Sequence, residues 1–146
     1  MRVATSPIVT TAVPLLHRSL EPRNCTVILV SGASDDGLRA TLAFTAALTA
    51  ASMDQPTLVF LAGDGAHWGY EGRADGVRVS GFPALADLIE SFVEEGGQIG
   101  LCSSCDGACS LPAGGSAAPP ARLSSVRLQG MPSVLAHSAD GSALTF

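Results

Sequence analysis

Three stretches of the chain are apolar almost without interruption: "CTVILVSGA" (25–33), "PTLVFLAGDG" (56–65) and "QIGLC" (98–102). Runs of this length, rich in β-branched residues and closed by glycine or small polar residues, predict strands covered on both faces. Between the first two, "LRATLAFTAALTAASM" (38–53) returns apolar residues at Leu38, Leu42, Thr45 and Leu48 with alanines between them, which predicts a helix packed through small side chains. Between the second and third, "FPALADLIESFVEEGG" (82–97) sets Pro83 in a first helical turn, Leu85, Leu88, Ile89 and Phe92 on one face, and Gly96 and Gly97 as the stop. Residues 25–63 therefore have the order of one βαβ unit, and the sheet is expected to be parallel.

The connecting segments add detail. Ser34, Asp35 and Asp36 offer side-chain oxygens to the free amides of the first helix, and capping is preferred over an acid/base role for the two aspartates. Residues 65–81 hold five glycines and little periodicity, as in a long loop. "SLPAGGSAAPPARLSS" (110–125) has the composition of a flap. Beyond it, "VRLQG" predicts a short strand or turn, "MPSVLAHSAD" a short helix begun by Pro132, and "SALTF" a last strand. Residues 25–146 read as a single α/β domain, and residues 1–24 as a flexible N-terminal extension.

Composition narrows the function classes. The chain has 146 residues, 47% of them hydrophobic, enough for one domain with its own core. Its net charge is −5, with eight arginines and no lysine, and the arginines (Arg2, Arg18, Arg23, Arg39, Arg73, Arg78, Arg122 and Arg127) form no stripe, which argues against a nucleic-acid partner. No run of 18 apolar residues predicts a membrane span, and the apolar stretch 8–16 is broken by Pro14 and followed by "HRS", unlike a secretory signal. A cytoplasmic protein is expected, with its four cysteines reduced, metal-bound or catalytic rather than paired as a structural framework.

Three of those cysteines, Cys102, Cys105 and Cys109, follow the third predicted strand, at the edge where open α/β sheets bind ligands. If "SSCDGAC" opens a helix, the spacing puts all three sulfurs on one side, and the helix start favours thiolate over thiol by roughly 0.3 to 1 kcal/mol. Asp106 opposes a second negative charge nearby, and Gly107 makes a turn the alternative. A zinc or iron–sulfur site would draw on Cys102, Cys105 and Cys109, with His67 as the nearest fourth ligand. Cys25 starts its strand whereas Cys102 ends one, about 20 Å away for a strand of about seven residues, so it reads as core packing. Asp64, His67 and Trp68 leave the second strand at the same edge as Cys102. Asp64 is expected to cap or turn, His67 to offer a proton or a ligand, and Trp68 an apolar wall. His17 and His137 stand outside any constellation.

The ordered segments "VILVSGASDDGLRATLAFTAAL", "TLVFLAGDGAHW", "GFPALADLIESFVEEGGQIGLCSSC" and "GMPSVLAHSADGSALTF" together resemble the DsrE/DsrF-like family of sulfur-relay proteins, including its TusD-type carriers. The resemblance implies a three-layer α/β/α fold with a mainly parallel central sheet, Rossmann/flavodoxin-like in type, and assembly into homotrimers or hexamers. It also implies a cysteine that accepts sulfane sulfur as a persulfide. Cys102 matches that cysteine and Cys105 the second cysteine of a C-x-x-C branch, while Cys109 is an addition. The expected function is that of a sulfurtransferase component without a cofactor, exchanging sulfur with donor and acceptor proteins. The alternative is a metal-binding or thiol-redox module on the same cysteine cluster, and a third reading is an assembly protein without chemistry.

Overall fold

A computed structural model describes residue 4, residues 22–107 and residues 120–146. Cys109, most of the N-terminal extension and the body of the expected flap lie outside the described residues. Five strands form one parallel sheet in the order β4-β3-β2-β1-β5: β1 Cys25–Leu29, β2 Thr57–Leu61, β3 Gln98–Cys102, β4 Val126–Gln129 and β5 Ser142–Thr145. Among the described residues three α-helices accompany it: α1 Leu38–Ser52, α2 Leu85–Glu94 and α3 Met131–Ser138.

Strand alternation divides the sheet's side chains between two layers. Val27, Leu29, Val59, Leu61, Ile99, Leu101 and Val126 join one core with α1 and α2. Thr26, Leu58 and Phe60, which alternate with them, are also buried, so β2 is enclosed on both sides as its continuous apolar run predicts. The opposite layer is supplied by α3. Ser138 Oγ lies 3.0 Å from Thr26 Oγ1, and His137 Nδ1 lies 2.9 Å from the same atom. The architecture is the expected α/β/α arrangement.

The helices differ in how well their patterns foretold their packing. In α2 the buried residues are Leu85, Leu88, Ile89 and Phe92, the predicted face. Phe92 meets Phe44 of α1 edge to face with ring centroids 5.9 Å apart, and burying each such ring is worth about 1.5–3 kcal/mol. Pro83 precedes the helix instead of sitting in its first turn, since Ala84 is the N-cap. In α1 the buried stripe is Ala40, Thr41, Ala43, Phe44, Ala47, Ala50 and Ala51, whereas Leu38 is exposed and Leu42, Thr45 and Leu48 are only partly buried. Alanines let α1 approach the sheet closely, so the larger leucines turn aside.

Two connections shape the sheet's carboxyl rim. After β1, the 3₁₀ turn Ala33–Asp35 leads into α1, where Asp35 accepts hydrogen bonds from the amides of Gly37 (3.2 Å) and Arg39 (3.1 Å); the capping role is borne out for Asp35. After β2, the supposed open loop begins as a 3₁₀ helix, Gly63–Gly69. Gly65 packs so close to the end of β1 that a Cβ there would run into the Leu29 carbonyl.

Candidate thiol site at the carboxyl rim

Cys102 is the last residue of β3, paired in register with Gln129 of β4. The ladder extends one step beyond the strand, the Ser103 amide donating to the Gln129 carbonyl at 3.0 Å. The chain then reverses: the Cys105 amide donates to the Cys102 carbonyl at 2.9 Å, and residues 103–107 are turn. Gly107 has φ +75°, the left-handed conformation glycine adopts without strain. Residues 103–107 are therefore no helix start but the turn that Gly107 offered as the alternative. A tight turn brings Cys102 and Cys105 together instead.

Both residues are partly exposed, and they are set in different surroundings. Burial pushes the Cys102 thiol up, but hydrogen bonds to its sulfur from the Cys105 thiol, the Ser104 amide, the Cys105 amide and the Ser104 hydroxyl outweigh it and hold the thiol below its ordinary range. Amides and a hydroxyl aimed at sulfur thus do what a helix dipole was expected to do. Cys105 packs against the core, and its Sγ accepts a hydrogen bond from the Gly63 amide at 3.2 Å. That contact ties the β3 turn to the end of β2, so the two thiols span neighbouring strand ends.

Asp106, expected to oppose a thiolate, has its carboxylate engaged elsewhere. Tyr70 Oη donates to Asp106 Oδ1 at 2.6 Å, Arg122 Nη1 stands 3.5 Å from Oδ2, and the Gly107 amide donates back to Tyr70 Oη at 2.9 Å. Tyr70 and Arg122 are themselves joined by an isolated antiparallel bridge.

The remaining candidates, Asp64, His67 and Trp68, lie in the Gly63–Gly69 3₁₀ helix that leaves β2. Asp64 is exposed in the first turn of the 3₁₀ helix and makes no capping hydrogen bond. Trp68 is a core residue, 1% exposed, whose indole N–H donates to the Ser31 carbonyl at 2.9 Å. His67 stacks edge-on to it at 4.7 Å. Burial, with the nearby Arg73 charge, holds the His67 imidazole below its usual range, so it is a neutral acceptor at physiological pH rather than a ready acid. Both rings border a hollow of about 380 Å³ with Ala33, Asp36, Arg73, Asp75 and Val77, and neither Cys102 nor Cys105 lines it. Among the described residues no group of three histidine, cysteine or acidic side chains is arranged to hold a metal ion; Cys102, Cys105 and His67 form no such set. Cys25, 4% exposed at the start of β1, belongs to the core.

Sequence reasoning missed the Gly63 amide, Ser104, Tyr70 and Arg122. Ser104 was legible as a donor beside two cysteines. The others reach the turn only through tertiary folding, 36 residues separating Tyr70 from Asp106.

The chain is similar in fold to the ychN protein of Escherichia coli, whose crystal structure it matches with a TM-score of 0.61 at 14% identity, over 85% of this chain and 99% of that one. No curated protein sequence matches it. The family model described as DsrE/DsrF-like matches residues 26–146, nearly the whole described α/β unit. The chain belongs to the DsrE/DsrF-like family, generally a family of sulfur relays.

Proposed function

We propose that this chain is a persulfide carrier, a sulfurtransferase component whose reactive residue is Cys102. The observation that carries the reading is the Cys102 thiol held below its ordinary range by the donors of its own turn, at the carboxyl rim of a parallel sheet. Family membership supports it.

In the forward step the Cys102 thiolate attacks the outer sulfur of a donor persulfide. The donor's S–S bond breaks, its thiolate departs with the electron pair, and Cys102 carries the sulfane sulfur as a persulfide. In the return step an acceptor thiolate attacks that same outer sulfur and Cys102 leaves as thiolate, which a low thiol pKa favours. No external oxidant or reductant is required. Attack by Cys105 on the inner sulfur would instead expel sulfide and leave a disulfide.

The partners are sulfur-donor and sulfur-acceptor proteins, and the proposed setting is the cytoplasm. No helix among the described residues is long and apolar enough to cross a membrane. Assembly into homotrimers or hexamers is part of the proposal, supported by Val30, Leu128, Met131, Leu135 and Leu144, large apolar side chains left exposed on the single chain. Light scattering coupled to size exclusion measures it, and a monomer would contradict it.

Intact-mass analysis after incubation with an inorganic polysulfide tests the chemistry. The wild-type chain should gain about 32 Da, one sulfur atom, reversible by reductant, and Cys102→Ser should gain none. A thiol-redox module, which the C-x-x-C turn also allows, would instead lose about 2 Da as a Cys102–Cys105 disulfide and retain no sulfur.

A further inference from the structure

Tyr70 is buried, 3% exposed, yet its hydroxyl is the meeting point of the turn that carries both thiols. It donates to Asp106 Oδ1 at 2.6 Å and accepts the Gly107 amide at 2.9 Å, while Arg122 closes on the other carboxylate oxygen at 3.5 Å. On either side of the hydroxyl, the Glu71 amide donates to the Ala121 carbonyl (2.8 Å) and the Leu123 amide to the Gly69 carbonyl (2.9 Å). Three chain segments, 69–71, 103–107 and 121–123, are therefore laced at one point, one residue past Cys105.

We infer that Tyr70, Asp106 and Arg122 form a positioning clasp for the thiol turn, one that fixes the orientation of the Ser104 and Cys105 donors toward the Cys102 sulfur and occupies the Asp106 charge that would otherwise oppose a thiolate there. The inference deepens the carrier reading and rests on it for its biological meaning, but it concerns the ionisation of Cys102 and stands or falls on that alone. Two physical arguments support it. The Cys105 amide to Cys102 carbonyl bond closes a turn whose central Ser103–Ser104 peptide can still flip between turn types unless its exit is held, and the exit here is Asp106–Gly107. A carboxylate four residues from a thiolate disfavours it less once a phenol and a guanidinium share its charge. Both effects favour the ionised sulfur without touching it.

The pH dependence of iodoacetamide alkylation at Cys102, located by fragment mass in the full-length chain, tests the clasp without any sulfur donor. Tyr70→Phe keeps the ring and removes the hydroxyl; Asp106→Ala removes the other half of the bond. Tyr70→Phe should move the Cys102 profile to higher pH and slow alkylation near neutrality about threefold to tenfold, since one pKa unit changes the thiolate fraction about tenfold, and Asp106→Ala, which also deletes the opposing carboxylate, should shift it in the same direction by less. Asp106→Asn, which keeps an oxygen for the Tyr70 hydroxyl, should recover most of the rate lost in Asp106→Ala. Arg122→Ala, at a partly exposed site, supplies a fourth variant should Tyr70→Phe unfold, and should shift the profile in the same direction. A Cys102 profile identical to wild type in folded Tyr70→Phe and Asp106→Ala, even with a lower melting temperature, would reduce the clasp to ordinary packing and overturn the inference. Failure of polysulfide to load the wild-type chain, with these shifts intact, would sink the carrier reading and leave the clasp standing.

Discussion

Cys25 and Cys102 are the same residue type at opposite rims of one parallel sheet. Cys25 opens β1 inside the core, beside strands β2 and β5, with 4% of its surface exposed. Cys102 closes β3 where the chain turns back, and meets amides, a hydroxyl and a second thiol. The difference teaches that a parallel sheet sorts identical side chains by rim. At the amino rim a thiol is a small apolar filler, and at the carboxyl rim the loops supply unpaired donors that stabilise its anion.

The sharpest way to break the comparison is to exchange the fates of the two sulfurs. Cys102→Ser should abolish sulfur loading while leaving the melting temperature within a few degrees. Cys25→Ser should leave loading intact and destabilise the fold by about 1–3 kcal/mol, the cost of a buried hydroxyl without a sure partner, measured by urea unfolding. Loss of loading in Cys25→Ser with a native melting curve would erase the distinction.

Reactivity in the native state gives the next largest contrast. Cys102 should react with iodoacetamide already below the ordinary thiol range, its rate rising with pH as the lowered thiol ionises. Cys25 must wait for an opening of the core, and should react at least ~10³-fold more slowly under the same conditions. Equal rates measured by peptide mass would contradict the burial assigned to Cys25.

A smaller effect isolates the second thiol. Cys105→Ala removes a donor to Cys102 and should slow Cys102 alkylation near neutrality about threefold to tenfold; Cys105→Ser, which keeps a donor, should slow it less. An unchanged rate in Cys105→Ala would mean that the amides and Ser104 carry the whole effect.

The smallest effect belongs to the amino rim, where titration serves the fold rather than chemistry. His137 of α3 meets Thr26, next to Cys25, and burial holds its imidazole below the usual range. The folded state then prefers the neutral ring, so its contribution is full above the unfolded histidine value of about 6.5 and is lost as pH falls through the lower folded value. Urea midpoints should decline between pH 7 and pH 5, and His137→Gln should flatten part of that decline without altering Cys102 alkylation.

How much of this was legible in the chain depended on what kind of signal each part leaves. β2 and β3 were plain because continuous apolar runs mean enclosure on both faces, and the placement of Cys102 at the carboxyl rim followed from strand order alone. The α2 face was plain because Leu85, Leu88, Ile89 and Phe92 contrast with the acidic residues around them. α1 was not, because a helix made of alanine, threonine and leucine has little polar contrast, and the closest-packing side was chosen by size instead of hydrophobicity. Ser103 and Ser104 beside two cysteines read as easily as a helix start as a turn, and Gly107 decided it. Tyr70, Arg122 and Gly63 carried no local mark at all. They act on the thiol turn because the sheet and its loops bring residues distant in sequence to one rim.

The central claim is tested most directly by loading the native chain with inorganic polysulfide, digesting it, and locating the added sulfur by fragment mass. No arginine or lysine lies between Arg78 and Arg122, so trypsin leaves Cys102, Cys105 and Cys109 on one peptide and fragmentation must separate them. The account predicts about 32 Da on Cys102 and none on Cys25, one sulfane sulfur held by the ionised thiol. Sulfur found on Cys105 or Cys109 with Cys102 unmodified, or an adduct that survives in Cys102→Ser, would contradict it.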